Sequence, residues 1–239
     1  LFEEEDVNKL LEEYGSYSNI YAAANAEKRE ELIDYLMGEE MLRQELGGLL
    51  TQEDDTDLRT YMLERVEPLD YIDHSIDDEN YVDEELIALL EKPTSTPMSE
   101  EEWLVRMDLA HLLDDEYAMN WVRDSDTAFP DNEQVGLKAA GLTLKINQSV
   151  EGVGSDEVQE AADYIVNNLS GEESMMRYSS DERISAYYNL YWAPDSAGTL
   201  EYYQNQMAVE QDPRAQDHLR RLIDRMEERV ASAAPQPSE

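Results

Sequence analysis

The segment that decides the fold runs from Ser179 to Met226 and reads SSDERISAYYNLYW, then APDSAGTLEYYQNQMAVEQ, then DPRAQDHLRRLIDRM. In each piece apolar residues recur at the three- and four-residue spacing of a helix, and proline, glycine and aspartate mark the junctions. The segment therefore predicts three successive helices joined by tight turns. It also holds the densest aromatic cluster of the chain, which consists of Tyr187, Tyr188, Tyr191, Trp192, Tyr202 and Tyr203.

Three helix starts can be read from short local patterns. Two are Ser-x-x-Glu capping boxes, in which each side chain accepts a hydrogen bond from the other residue's backbone N–H. The third is an aspartate N-cap followed by proline at the first helical position, where the missing N–H costs nothing. These patterns predict helices that begin after Ser99 (with Glu102), after Ser179 (with Glu182) and at Asp212-Pro213.

Apolar residues at helical spacing continue through most of the rest of the chain. They predict further helices over residues 3–14, 26–46, 58–65, 82–90, 116–123, 133–146 and 156–169. Alternating Val, Ile and Thr runs bounded by turn residues, which are typical of strands, are missing from the sequence. The sequence therefore predicts an all-α fold, an irregular helical-hairpin array or α-solenoid without a sheet.

The composition of one short stretch suggests where the chain divides. Residues 92–98 carry two prolines and three hydroxyl residues, a combination that favours a loop. We therefore predict a linker there, between an N-terminal helical part over residues 1–91 and a C-terminal helical-repeat part over residues 99–230. Residues 231–239 are predicted to form a frayed tail.

Part of the deciding segment resembles a known repeat family. AYYNL at residues 186–190, EYYQ at residues 201–204 and the Asp212-Pro213 helix start are similar to the first helix, the second helix and the repeat junction of tetratricopeptide repeats. The Asp-Pro-Arg start is equally similar to HEAT-like repeats. The resemblance covers about one repeat, and it implies an α-solenoid. Such solenoids present a concave surface to a protein or peptide.

The charge of the chain excludes some classes of function. Asp and Glu number 57 against 18 Lys and Arg, which gives a formal net charge of -39. Nucleic-acid binding is not expected, because a phosphate backbone is gripped by Lys and Arg. No apolar run approaches the roughly 20 residues of a membrane span, so we expect no direct membrane insertion. The acidity indicates a solvated surface in a salty environment, steering of a basic partner, or cation binding.

Two absences bear on chemistry and compartment. The chain contains no cysteine, which excludes disulfides, cysteine-type zinc sites and thiol catalysis. It begins at Leu1 and shows no charged segment followed by an apolar stretch, which favours an exported protein whose targeting segment has been removed. We expect no cofactor.

Candidate catalytic or metal-binding residues are sparse. His111 and Asp115 have the i, i+4 spacing that places two side chains on one helix face, as in a ligand pair or an oriented base. The segment 73–84 resembles an EF-hand loop, but Asp78 stands where the turn needs glycine. The favoured function is therefore a non-catalytic protein-binding or scaffold protein. The alternative is an acidic-site hydrolase or cation-binding protein that uses His111 and neighbouring carboxylates.

The aromatic cluster and the last helix supply the candidate binding surface. Tyr188 shares an apolar stripe with Ile184 and Tyr191 and is expected in the core, whereas Tyr187 lies off that stripe, and Tyr202 and Tyr203 are not expected both to point inward. A basic stripe follows on the last helix. The alternatives are simple packing of the tyrosines and pairing of the arginines with the chain's own acids. The predicted partner-binding residues are Tyr187, Trp192, Tyr202, Tyr203, Arg214, Arg221 and Arg225.

Overall fold

The computed structural model describes residues 4–38, 48–50, 52–65, 87, 90–91, 96–147 and 153–233. No strand occurs in these ranges, and none of their helices is long and apolar enough to cross a lipid bilayer. The predicted all-α class is confirmed. The helices with defined bounds are α1 (Glu4–Tyr14), α2 (Tyr17–Ala23), α3 (Ala26–Gly38), α4 (Thr56–Glu64), α5 (Glu100–Leu113), α6 (Asp115–Ala128), α7 (Glu133–Ile146), α8 (Ser155–Asn168), α9 (Glu173–Arg177), α10 (Ser180–Leu190), α11 (Ser196–Val209) and α12 (Pro213–Ala233).

The chain divides into two compact units, unit 1 over Leu1–Asp114 and unit 2 over Asp115–Glu239. Most of the predicted linker at 92–98 and all of the EF-hand-like loop at 73–84 lie outside the described residues. The linker and the stacking of hairpins into a solenoid therefore stay predictions. The predicted tail begins three residues too early, since α12 continues through Ala233.

The predicted helix starts follow local hydrogen bonds, with one exception. The Ser179 box is complete, and Asp212 Oδ1 accepts from the backbone N–H groups of Arg214 and Ala215 at 2.8 and 3.0 Å. At the start of α5, Ser99 Oγ accepts from the N–H of Glu102 at 3.1 Å, but the glutamate side chain turns elsewhere. Half of that predicted box is therefore wrong, because two arginines take the carboxylate.

Those arginines form a buried ionic cluster in unit 1, which we call the Arg–Glu–Arg triad. Glu102 Oε2 accepts from Nε of Arg59 at 2.9 Å, and Glu102 Oε1 accepts from Nη2 of Arg106 at 2.8 Å. All three side chains are fully buried. Arg59 also donates to the carbonyls of Glu53 and Pro97, and Arg106 to that of Leu90. The triad thereby ties α4 and α5 to the segments that precede them.

Unit 2 is built around α7 and α12. Helix α7 packs against α6, α8 and α10, and α12 packs against α10 and α11. Two glycines let the neighbours of α7 approach closely. A Cβ atom at Gly136 would lie 2.2 Å from the hydroxyl of Tyr164, and one at Gly141 would lie 2.3 Å from Nδ2 of Asn189. The absence of a side chain at Gly141 therefore leaves the room that the Asn189 side chain occupies.

The core of unit 2 contains a second buried ion pair, between α10 and the end of α11. Arg183 donates through Nε and Nη2 to the two oxygens of Glu210 at 3.0 and 2.8 Å. Glu210 also accepts from the Tyr187 hydroxyl and from two backbone N–H groups. Burial alone would raise the pKa of Glu210, but these hydrogen bonds outweigh it and hold the pKa below its ordinary value of 4.5.

The prediction that Tyr202 and Tyr203 do not both point inward is wrong, and Tyr187, which lies off the predicted core stripe, is also buried. Tyr187, Tyr202 and Tyr203 have relative exposures of 0, 7 and 0 %. Tyr187 binds Glu210, the Tyr202 hydroxyl donates to the carbonyl of Leu169, and the Tyr203 hydroxyl donates to the carbonyl of Tyr187. These two adjacent tyrosines of α11 therefore both find buried acceptors, one just beyond α8 and one on α10. Tyr188, which was expected in the core, is instead 36 % exposed.

The net charge leads to a prediction about salt. Raising the ionic strength from 0.1 to 1 M should raise the melting temperature by about 4 °C or more, because the Debye length falls from about 10 to about 3 Å and repulsion among the acids weakens. Thermal unfolding followed by circular dichroism in NaCl measures the change. Most of the rise should occur at the low end of the series, where the Debye length changes fastest. A melting temperature that falls with salt would contradict the prediction.

Candidate functional site

Unit 2 carries an open groove of about 600 Å³. Residues from α7, α10 and α12 line it, together with two aromatic residues that directly follow α10. These lining residues are Lys145, Ser185, Tyr188, Asn189, Tyr191, Trp192, Leu222 and Arg225. We call this surface the aromatic groove.

Neighbouring side chains hold the aromatic residues of the groove in place. The Tyr188 hydroxyl lies 2.9 Å from Nδ1 of His218, and the two rings meet edge to face. The rings of Tyr191 and Trp192 are nearly perpendicular, with centroids 5.3 Å apart. Arg229 binds the carbonyl of Tyr191 and lies over its ring. Trp192 nevertheless remains 39 % exposed, so the groove presents an apolar surface of fixed orientation.

The charges at the groove differ from those of the rest of the chain. Lys145 and Arg225 are exposed lining residues, and no acidic residue lines the groove within the described ranges. In that same part of the chain, neither of these cations forms an ion pair. Of the remaining arginines in the described ranges, Arg229 binds Tyr191. All the others pair with an Asp or Glu side chain. The described residues therefore give the groove two positive charges that no ion pair among them neutralises.

The structure brings only two of the predicted partner-binding residues to this groove, Trp192 and Arg225. Arg214 and Arg221 instead pair with the chain's own acids, Asp181 at 2.6 Å and Asp217 at 2.5 Å. The three predicted tyrosines are in the core, as described above. The predicted partner-binding residues therefore do not form a single surface. Of the three arginines predicted on the last helix, two pair within the chain and one lines the groove.

Sequence reasoning missed Lys145 and Asn189 as groove residues. Lys145 lies on α7, far from the aromatic cluster in sequence, and no local pattern links it to α10 or α12. Asn189 is a polar residue on α10 whose side chain occupies the room left at Gly141. Tyr188 is predicted in the core, and the structure places it in the groove instead. To place these residues in one groove, one must know which helices distant in sequence pack together. Hydrophobic periodicity does not give that information.

His111 and Asp115 lie on either side of a helix boundary. Helix α5 ends at Leu113, Asp114 has an extended backbone, and α6 begins at Asp115. The predicted shared helix face of His111 and Asp115 is therefore wrong, because the chain leaves the helix between them. Among the described residues, no group of three or more His, Asp or Glu side chains is arranged to hold a metal ion.

Comparisons of the chain with protein-family models, with curated proteins and with solved structures find no match. The resemblance of residues 186–190, 201–204 and Asp212-Pro213 to tetratricopeptide or HEAT-like repeats therefore stays a prediction.

Proposed function

We propose that the chain is a non-catalytic scaffold protein that binds a segment of a partner protein in the aromatic groove. The observation that carries this proposal is the half-exposed pair Trp192 and Tyr188 in a concave surface. Tryptophan and tyrosine are enriched among the residues that dominate binding energy at protein interfaces. The groove has a volume of about 600 Å³ and is open, so it is accessible from the surface of unit 2.

The fixed orientation of the groove residues supports binding. Ordering side chains on association costs free energy, so residues that are already held in place bind more tightly for the same contacts. Tyr188 is held by His218, and Tyr191 is held by Arg229. A partner segment therefore meets a surface that needs little rearrangement.

Replacing Trp192 by alanine tests the proposal. We expect the wild-type chain, immobilised on beads, to retain a partner protein from an extract of its source cells, and we expect Trp192→Ala to retain at least about ten-fold less, because interface tryptophans often contribute more than 1.4 kcal/mol. Quantitative mass spectrometry of the retained proteins measures the difference. The pull-down is done at low and high salt, because retention of a basic partner, one of the alternatives that the net charge leaves open, would weaken with salt.

Tyr14→Ala is the matched control, since Tyr14 is an aromatic residue of similar exposure, 37 %, in unit 1. It should retain the partner as the wild type does. Equal retention by wild type and Trp192→Ala, with both variants folded by circular dichroism, would remove the groove from the proposed function.

A further inference from the structure

We propose that the partner segment bound by the aromatic groove is acidic, with Asp or Glu side chains on either side of an apolar residue. This inference rests on the proposed function and names the chemistry of its ligand. The apolar residue contacts Trp192 and Tyr188, and the carboxylates bind Lys145 and Arg225.

The distribution of ion pairs carries the inference. Acidic residues outnumber basic ones by 57 to 18, so an exposed arginine is surrounded by possible partners within its own chain. Exposed arginines elsewhere in unit 2 use them: Arg123 pairs with Glu157 and Arg177 with Glu133. Lys145 and Arg225 form no such pair within the described residues, although both are exposed. Their charges are therefore available to a ligand carboxylate.

The chemistry of the lining residues fits carboxylates better than other groups. A guanidinium presents parallel N–H donors that match the two oxygens of a carboxylate, and a lysine ammonium adds a second charge-assisted donor. Asn189 and Ser185 line the same groove and supply uncharged hydrogen-bonding groups. A basic segment, in contrast, would place its charge beside Lys145 and Arg225, and none of the described lining residues is acidic and able to bind that charge, so its binding would be strongly unfavourable.

The negative charge of the whole chain opposes an acidic ligand only at long range. At an ionic strength of 0.15 M the Debye length is about 8 Å, so distant carboxylates are screened while contacts within the groove are not. The net charge of -39 should therefore slow the approach of an acidic segment without abolishing its binding. Added salt should speed the association, which is the opposite of what a basic partner would show.

A peptide library tests the inference directly. The peptides are nonamers with a fixed central phenylalanine and flanking positions randomised among Glu, Gln and Lys, acetylated and amidated so that carboxylates come from side chains alone. They are captured on the immobilised full-length chain at an ionic strength of about 0.15 M and quantified by mass spectrometry. We expect Glu to be enriched about ten-fold over Gln at two or more positions and Lys to be depleted.

Two double variants separate the groove from the general charge. Lys145→Ala with Arg225→Ala should abolish the preference for Glu. Arg123→Ala with Arg177→Ala also removes two positive charges, from side chains of unit 2 that are about half exposed and lie outside the groove lining. This control variant should keep the preference for Glu. Equal capture of Gln and Glu peptides, enrichment of Lys, capture of no peptide, or a preference that survives the groove variant would overturn the inference.

Trp192→Ala distinguishes failure of the inference from failure of the proposed function. Peptides captured without regard to charge, but lost on Trp192→Ala, would leave the groove as a protein-binding site and overturn only its acidic specificity. Capture that is the same for wild type and Trp192→Ala would overturn both.

Discussion

Replacement of Glu102 by glutamine is expected to lower the free energy of unfolding of unit 1 by about 3–5 kcal/mol. The carboxylate is the only acidic member of the Arg–Glu–Arg triad, and both of its oxygens accept from guanidinium groups. Glutamine has nearly the same shape, but its amide nitrogen would face one guanidinium and its charge would be gone. Arg59 and Arg106, both fully buried, would then lose the carboxylate that they share.

Hydrogen exchange followed by mass spectrometry resolves this effect by unit. Peptides from α4 and α5 should lose protection in Glu102→Gln, whereas peptides from α11 and α12 in unit 2 should not. Glu101→Gln is the control, because Glu101 is the preceding residue of the same helix and is exposed. Unchanged protection of α4 and α5 in Glu102→Gln would show that the triad contributes little to stability.

The second large effect is expected at Glu210, where Glu210→Gln should destabilise unit 2 by about 3–5 kcal/mol near neutral pH. The glutamate accepts from Arg183, Tyr187 and two backbone N–H groups. A glutamine side chain has a single acceptor oxygen and two donor hydrogens, so it leaves donors unpaired and Arg183 without its counter-charge. Urea unfolding, with hydrogen exchange of α10 and α11 as the readout, measures the loss of unfolding free energy.

The effect of Glu210 should depend on pH in a defined direction. The pKa of this carboxyl is lower in the folded chain than its ordinary value of 4.5. Its stabilisation is therefore fully present above pH 4.5 and is lost as the pH falls through the folded pKa. The difference between wild type and Glu210→Gln should shrink in the same range. Glu201→Gln, at an exposed position of α11, should show neither the loss nor the pH dependence.

The helix starts show how much of the fold the sequence could predict. Ser179 and Asp212 bind N–H groups within three residues of themselves, so the pattern of residue types was sufficient. Ser99 caps α5 in the same way. The carboxylate of Glu102 could not be assigned, because its partner Arg59 lies 43 residues away. A sequence pattern can predict hydrogen bonds between neighbouring residues. It does not predict which charged residue far along the chain competes for the same side chain.

The prediction of which α10 tyrosine is buried is wrong for a related reason. The helix carries two adjacent apolar stripes, one through Ile184 and Tyr188 and the other through Tyr187 and Leu190. Periodicity alone does not choose between them. The structure buries the second stripe because Glu210, 27 residues beyond Arg183, fixes Arg183 and Tyr187 toward the core. The exposure of Tyr188, and with it the aromatic groove, follows from that choice.

Gly141 has a consequence for how such a groove could evolve. The residue is buried and does not line the groove, yet any side chain there would displace Asn189, which does. Selection for binding in the proposed groove would therefore constrain a position that does not line the groove. A lineage that exchanged this glycine for alanine would inherit the same aromatic and basic residues around an altered cleft, and its preference among ligands could drift while its surface chemistry stayed the same.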